Sequence, residues 1–216
     1  MRRQFFTSVG LVVLLTAGAG AQTNIMPPMA QVMIGPYAGL NFTSFYGDDQ
    51  LQDVSFRTDF ALGGQVDFRV ANTGFFRTGL VYSRRGAKTS EQGVDVNFKL
   101  KYLEVPLLFG YRFPTGGVQP YVVGGGQMGI KVGCTLSGEQ DGVTASIECD
   151  DPDLGMDVKS FDVAAVGGFG LSVPVGTSSL AFDLRYALGL LKIASDTKTK
   201  NHGFTLGVAY MIPVGK

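Results

Sequence analysis

The sequence predicts an all-β protein: a closed, antiparallel, up-and-down transmembrane β-barrel of about eight strands, with short periplasmic turns and longer extracellular loops. Three observations lead there. Large apolar residues recur at every second position in segment after segment, which is the period of a strand and not of a helix. The connections between these segments alternate short and long, as they do in outer-membrane barrels. The chain opens on an export signal, and no later stretch approaches the roughly 20 apolar residues of a spanning helix. Export without a spanning helix leaves a secreted protein or an outer-membrane barrel, because only helices and closed barrels satisfy their backbone hydrogen bonds in lipid.

In the export signal, Arg2 and Arg3 precede an apolar run from Val9 to Leu15, and Ala19, Gly20 and Ala21 form a small-residue cleavage site before Gln22. Residues 1–21 are therefore read as a signal peptide. Residues 22–30, with Pro27 and Pro28, read as a periplasmic lead-in. Residues 31–216 form one barrel domain, the natural count for a chain of 216 residues.

The clearest strand is KLKYLEVPLLFGYRF, residues 99–113. Leu103, Val105, Leu107, Phe109, Tyr111 and Phe113 take one face; Glu104, Pro106, Leu108, Gly110 and Arg112 take the other. Its apolar face runs for roughly 35 Å at about 3.3 Å per residue, enough to cross a bilayer core at a tilt. Before it, Val32, Ile34, Ala38, Leu40 and Phe42 line up opposite Tyr37, Gly39 and Asn41, with Pro36 suggesting a bulge or a strand end. After a loop at 47–57, Phe60, Leu62, Val66 and Phe68 alternate with Gly63, Gln65, Asp67 and Arg69. A tight turn at 71–74 leads into Phe76, Leu80 and Tyr82 opposite Arg77, and a polar loop spans 84–93.

The second half repeats the design. A Pro/Gly turn at 113–117 precedes Val118, Val122, Met128 and Ile130, where the run Gly124 to Gly126 suggests a bend. The longest loop, 133–157, is acidic and holds both cysteines. Phe161, Val163, Ala165, Phe169 and Leu171 oppose Asp162; after a turn at 174–178, Leu180 through Leu190 oppose Asp183 and Arg185. A polar loop at 195–202 leads to a last strand carrying Phe204, Leu206, Val208, Tyr210 and Ile212. Both chain ends then fall on the periplasmic side.

The apolar face of each strand belongs to lipid, and the opposite face to the lumen. Asp67, Arg69, Arg77, Glu104, Arg112, Asp162, Asp183 and Arg185 are expected to point inward together with Tyr121. Balanced acids and arginines in a narrow barrel predict a salt-bridged core. Paired carboxylates could also suggest hydrolysis, but the lone His202 at a loop edge has no obvious partner and reads as a solvated side chain. With one His and two Cys there is little material for a transition-metal site or a nucleophile and base. The acidic residues Asp141, Glu148, Asp150, Asp151, Asp153 and Asp157 lack EF-hand spacing and read as a solvated loop, not a calcium site. The chain is not expected to be an enzyme or to need a cofactor or metal. Eighteen basic residues balance eighteen acidic ones, with no basic cluster, which argues against nucleic acid as a partner. In an exported protein, Cys134 and Cys149 are expected to be bridged.

The run Tyr102-Leu-Glu-Val-Pro-Leu-Leu108, followed by Tyr111, Arg112 and Phe113, resembles the PorT-like "porin family" of outer-membrane β-barrel proteins. Pro120 and Tyr121, Phe161 and Asp162, and the segment 183–186 are similar to later strands of that family. The resemblance implies a small outer-membrane barrel, with some members linked to protein secretion. Thr205, Gly207, Tyr210 and Ile212 also look like an outer-membrane assembly signal, which implies contact with the barrel-assembly machinery during insertion. The last strand departs from that signal by ending on 213–216 and not on an aromatic residue.

Three roles are compatible with the sequence. The barrel is a structural or interaction protein, embedded in outer-membrane lipid and contacting envelope or secretion partners, with charged side chains filling its lumen. Alternatively it is a narrow porin-like channel, or a soluble lipocalin-like periplasmic carrier. The last would need an apolar lining, and the inward set here is Gly, Asp and Arg.

Overall fold

The computed structural model describes residues 32–47, 55–91, 94–140, 143–149, 158–194 and 198–214. The expected signal peptide and lead-in, and residues 141, 142 and 150–157 of the acidic loop, lie outside the described residues. The strands are β1 (Val32–Tyr46), β2 (Ser55–Arg69), β3 (Gly74–Glu91), β4 (Val94–Arg112), β5 (Gln119–Gln140), β6 (Val143–Glu148), β7 (Phe161–Val175), β8 (Ser178–Gly189) and β9 (Lys200–Val214). Eight of them close into a barrel, since β1 pairs with both β2 and β9, and β4 with both β3 and β5. The short β6 stands outside the ring, paired to the outer end of β5.

The registers fix the size of the barrel. A row of paired residues runs from Met33 through Asp67, Arg77, Leu108, Gly125, Val166, Ala187 and Gly203, and returns to β1 at Thr43, ten residues beyond its start. Eight strands with that stagger tilt by about 40° and enclose a cylinder of about 8 Å backbone radius. A lumen that narrow is filled by side chains reaching inward from opposite walls.

The outward face is apolar over the height of a bilayer core. Leu62 is 52% exposed, Phe109 66% and Phe169 61%, and such residues recur on every strand of the ring. A continuous belt of this kind is unstable in water and stable in lipid. The arrangement overturns the lipocalin-like alternative, whose apolar face would point inward. At the short-turn end, β7 and β8 join through a two-residue turn in which Gly176 adopts the left-handed φ of 62° that such hairpins favour.

Several expectations need correction. Residues 84–93 and much of 133–157 are not loops: β3 runs on to Glu91, β4 starts at Val94, and β5 continues to Gln140 before β6 returns. Above the membrane a strand has no lipid face to fill, so segments such as Lys88 to Ser90 lose the alternation that reveals strands elsewhere. Pro36 makes neither a bulge nor an end; the ladder to β9 skips Gly35 and Pro36 and resumes in the same register. The glycine run 124–126 lies within continuous pairing, and the irregularity in β5 falls at Val132, opposite the step from Lys101 to Tyr102. His202 belongs to β9 and not to a loop.

Candidate functional site: the barrel interior

The centre of the lumen is Arg77, whose side chain is fully buried. It is the cross-strand partner of Asp67, and their side chains form a fork-to-fork pair, Nε to Oδ1 at 2.8 Å and Nη2 to Oδ2 at 2.9 Å. Its remaining nitrogen, Nη1, donates to Asp183 Oδ2 at 3.1 Å. In the ring of eight, β3 and β8 face each other across the full diameter. One arginine thus ties opposite walls together. Tyr121, from β5, reaches the same carboxylate, its hydroxyl 3.2 Å from Asp183 Oδ2. The Arg77 guanidinium also lies over the rings of Phe75 and Tyr121, at 5.1 and 4.9 Å from their centroids.

Neighbouring charges continue this layer. Arg185 Nε donates to Asp183 Oδ1 at 2.7 Å, and its guanidinium covers the Tyr37 ring at 4.7 Å. Arg112, nearer the short-turn end, approaches Asp67 at 3.7 Å and stacks on Phe75 at 5.0 Å. Arg69 is half-buried at that same rim, where its Nε donates to the Ala71 carbonyl at 3.2 Å. Desolvated charges need partners of this quality, and an arginine shared between two carboxylates supplies them with fixed geometry.

Glycines make room for the aromatic members. A Cβ on Gly110 would sit 2.1 Å from the Phe75 ring, one on Gly170 2.4 Å from Tyr121, and one on Gly207 2.5 Å from the Tyr37 hydroxyl. Each inward ring sets its far end against a glycine of a neighbouring strand. This explains why small residues alternate with large ones on the lumen face.

A second layer lies toward the loops. Arg85 pairs with Glu104 at 2.7 Å, Asn41 Nδ2 donates to Ser83 at 2.9 Å, and Thr205 donates to Asn41 Oδ1 at 2.8 Å. Asp162, half-buried, accepts from Asn201 Nδ2 at 3.3 Å. Where the pairing of β2 with β3 is interrupted between Phe56 and Ala61, Asp59 pairs with Arg57 and with the outward-placed Arg84. Between the two layers is a cavity of about 20 Å³, lined by Tyr37, Gln127, Val166 and Arg185 among others. That is room for one or two water molecules, not a file of them. An apolar cluster of Leu100, Tyr102, Val158 and Ile193 with the bridged Cys134 and Cys149 lies at the outer mouth.

Of the eight inward charges expected from sequence, Asp67, Arg77, Glu104, Asp183 and Arg185 are buried in the lumen, while Arg69, Arg112 and Asp162 are half-buried. The lumen is also more apolar than expected, with Phe75, Val81, Leu108, Val123 and Met211 buried among the charges. Arg57, Asp59 and Arg85 escaped notice because their segments read as loops or loop edges. Extending the two-residue period from Arg77 through Ser83 would have placed Arg85 inside. Of the assembly-signal positions, Thr205 and Gly207 face inward, and Tyr210 and Ile212 lie in the outer belt. His202 is half-buried on the outer wall, its Nδ1 3.1 Å from the Tyr186 hydroxyl and its ring against Tyr46 and Phe56, in an aromatic girdle. Among the acidic loop positions, Glu148 is exposed at the end of β6, and the others lie outside the described residues.

A family profile described as "Outer membrane protein beta-barrel domain" matches residues 21–195. Among solved structures, the outer membrane protein OprG from Pseudomonas aeruginosa is similar at 15% identity and a TM-score of 0.52, over 86% of this chain and 97% of that one. Neisserial surface protein A is 14% identical with a TM-score of 0.48, over 84% and 97% of the two chains. No curated protein matches by sequence. The chain belongs to the outer membrane protein beta-barrel domain family and resides in the bacterial outer membrane.

Proposed function

We propose, from the premise of an outer-membrane barrel, that this one is an occluded scaffold whose work is done at its loop end and not through its lumen. The observation that carries this is the hydrogen bond from Arg77 on β3 to Asp183 on the opposite wall, with Asp67, Tyr121 and Phe75 filling the same level. A solute would have to break two charge pairs in a low-dielectric space to pass. Beyond the membrane, β3 to β6 rise as a stapled sheet, a rigid platform for a partner in the envelope. The likeness of the 102–113 segment to PorT-like proteins favours secretion or envelope assembly as the setting.

The test is conductance. Purified protein in planar bilayers is expected to show no steady current, whereas Arg77→Ala gives small, reproducible steps. Steady single-channel steps from the wild type, with ion selectivity altered by Glu104→Ala at unchanged stability, would favour the channel reading instead.

A further inference from the structure

The lysines among the described residues are placed at one end of the barrel. All eight among the described residues, from Lys88 to Lys200, lie toward the loops, and none lies toward the short turns. Lysines that merely snorkel from the ends of a belt have no reason to choose one end. Three of the eight, Lys88, Lys99 and Lys101, join Arg84 on the outer wall of β3 and β4, immediately beyond the last apolar pair of the belt, Tyr82 opposite Leu103.

There Arg84 stands directly opposite Lys101, Gly86 opposite Lys99, and Lys88 opposite Asn97. Arg84, Lys99, Lys101 and Lys88 occupy outward positions in the strand alternation. Two like charges facing each other across strands destabilise a sheet unless an anion lies between them. The protein offers little compensation. Asp59 approaches Arg84 at 3.4 Å but is shared with Arg57, and neither Lys99 nor Lys101 makes an ion pair among the described residues. Arg84 is held in place, its guanidinium 5.1 Å from the centroid of the Phe60 ring. On the membrane side the base-rich band is bounded by the apolar residues of the belt.

With a tilt of about 40°, two residues of strand rise about 5 Å, which sets Arg84 and Lys101 at headgroup level just outside the acyl region. We propose that this outward surface of β3 and β4 binds the phosphate of a phosphorylated glycolipid headgroup in the outer leaflet. Arg84 and Lys101 are the primary contacts, and Lys99 and Lys88 flank them. Arginine supplies a planar fork for the phosphate oxygens and lysine a mobile point charge, while the apolar belt below receives the acyl chains. The inference rests on the outer-membrane placement and is independent of whether the lumen conducts.

The test uses full-length protein in neutral detergent and native mass spectrometry, with a synthetic bisphosphorylated lipid A as probe and its dephosphorylated form as control. Wild type is expected to retain the phosphorylated lipid. The double variant Arg84→Gln/Lys101→Gln should bind about 30-fold more weakly, at roughly a tenfold loss or less per cation removed. Lys192→Gln/Lys198→Gln, at the loop between β8 and β9, should bind as wild type does, and Arg84→Lys/Lys101→Arg should retain most of the affinity. Gel mobility without boiling verifies that each variant is folded, and Lys99→Gln alone, with both primary residues intact, should give a smaller loss of the same kind. Equal retention of the dephosphorylated lipid, or unchanged affinity in the folded double variant, would overturn the proposal. So would full displacement by millimolar inorganic phosphate, which would reduce the patch to a site for free anions.

Discussion

Removing Arg77 is the most searching perturbation of the interior. Arg77→Ala strands two buried carboxylates. Asp183 keeps Arg185 at 2.7 Å, but Asp67 is left with Arg112 at 3.7 Å, beyond hydrogen-bonding reach. Breaking a buried pair costs about 3 to 5 kcal/mol, and the surviving partners argue for the lower end, about 3 kcal/mol. Loss of the stack between Phe75 and Tyr121 adds about 1 kcal/mol. The expected total is about 4 kcal/mol, measured by urea unfolding in phospholipid vesicles and followed by gel mobility without boiling. Arg77→Met combined with Asp67→Asn restores bulk and removes the stranded charge, so it should recover a large part of the loss. A folded Arg77→Ala protein within about 1 kcal/mol of wild type, or a double-mutant cycle showing no coupling between residues 67 and 77, would refute the account of the lumen.

Two further outcomes follow from the outer wall and the outer sheet. Leu107→Arg, near the middle of the belt on β4, should cost about 2 to 4 kcal/mol in the same vesicle assay, whereas a substitution that is neutral there would mean that this face does not meet lipid. Reduction of Cys134–Cys149 should expose the β5–β6 region to protease while leaving the barrel's mobility without boiling unchanged. In the chain-entropy model, closing a loop of about 15 residues is worth roughly 3 kcal/mol, and that stabilisation is local to the sheet above the membrane. Loss of the folded barrel band on reduction would show that the bridge supports the whole ring.

What could be read from the chain tracks where the bilayer acts. Between the rims, lipid demands apolar side chains at every second position, so Leu103 to Phe113 and their counterparts disclose strand, face and barrel at once. Above the rim that demand stops. Lys88, Thr89 and Ser90 then carry no alternation, and the continuation of β3 and β4 reads as loop although its pairing is unbroken. The same boundary hid Arg85, which lies at the transition. Register was a separate obstacle. Asp67 and Asp183 are each recognisable as inward-facing, but only the stagger of ten residues around the ring brings β3 level with β8, so that a single arginine can hold both. Alternation tells which way a side chain points and leaves open how high it stands. In a barrel of about 8 Å radius, height decides whether inward charges form one cross-lumen bond or several unrelated pairs, and hence whether the lumen is closed.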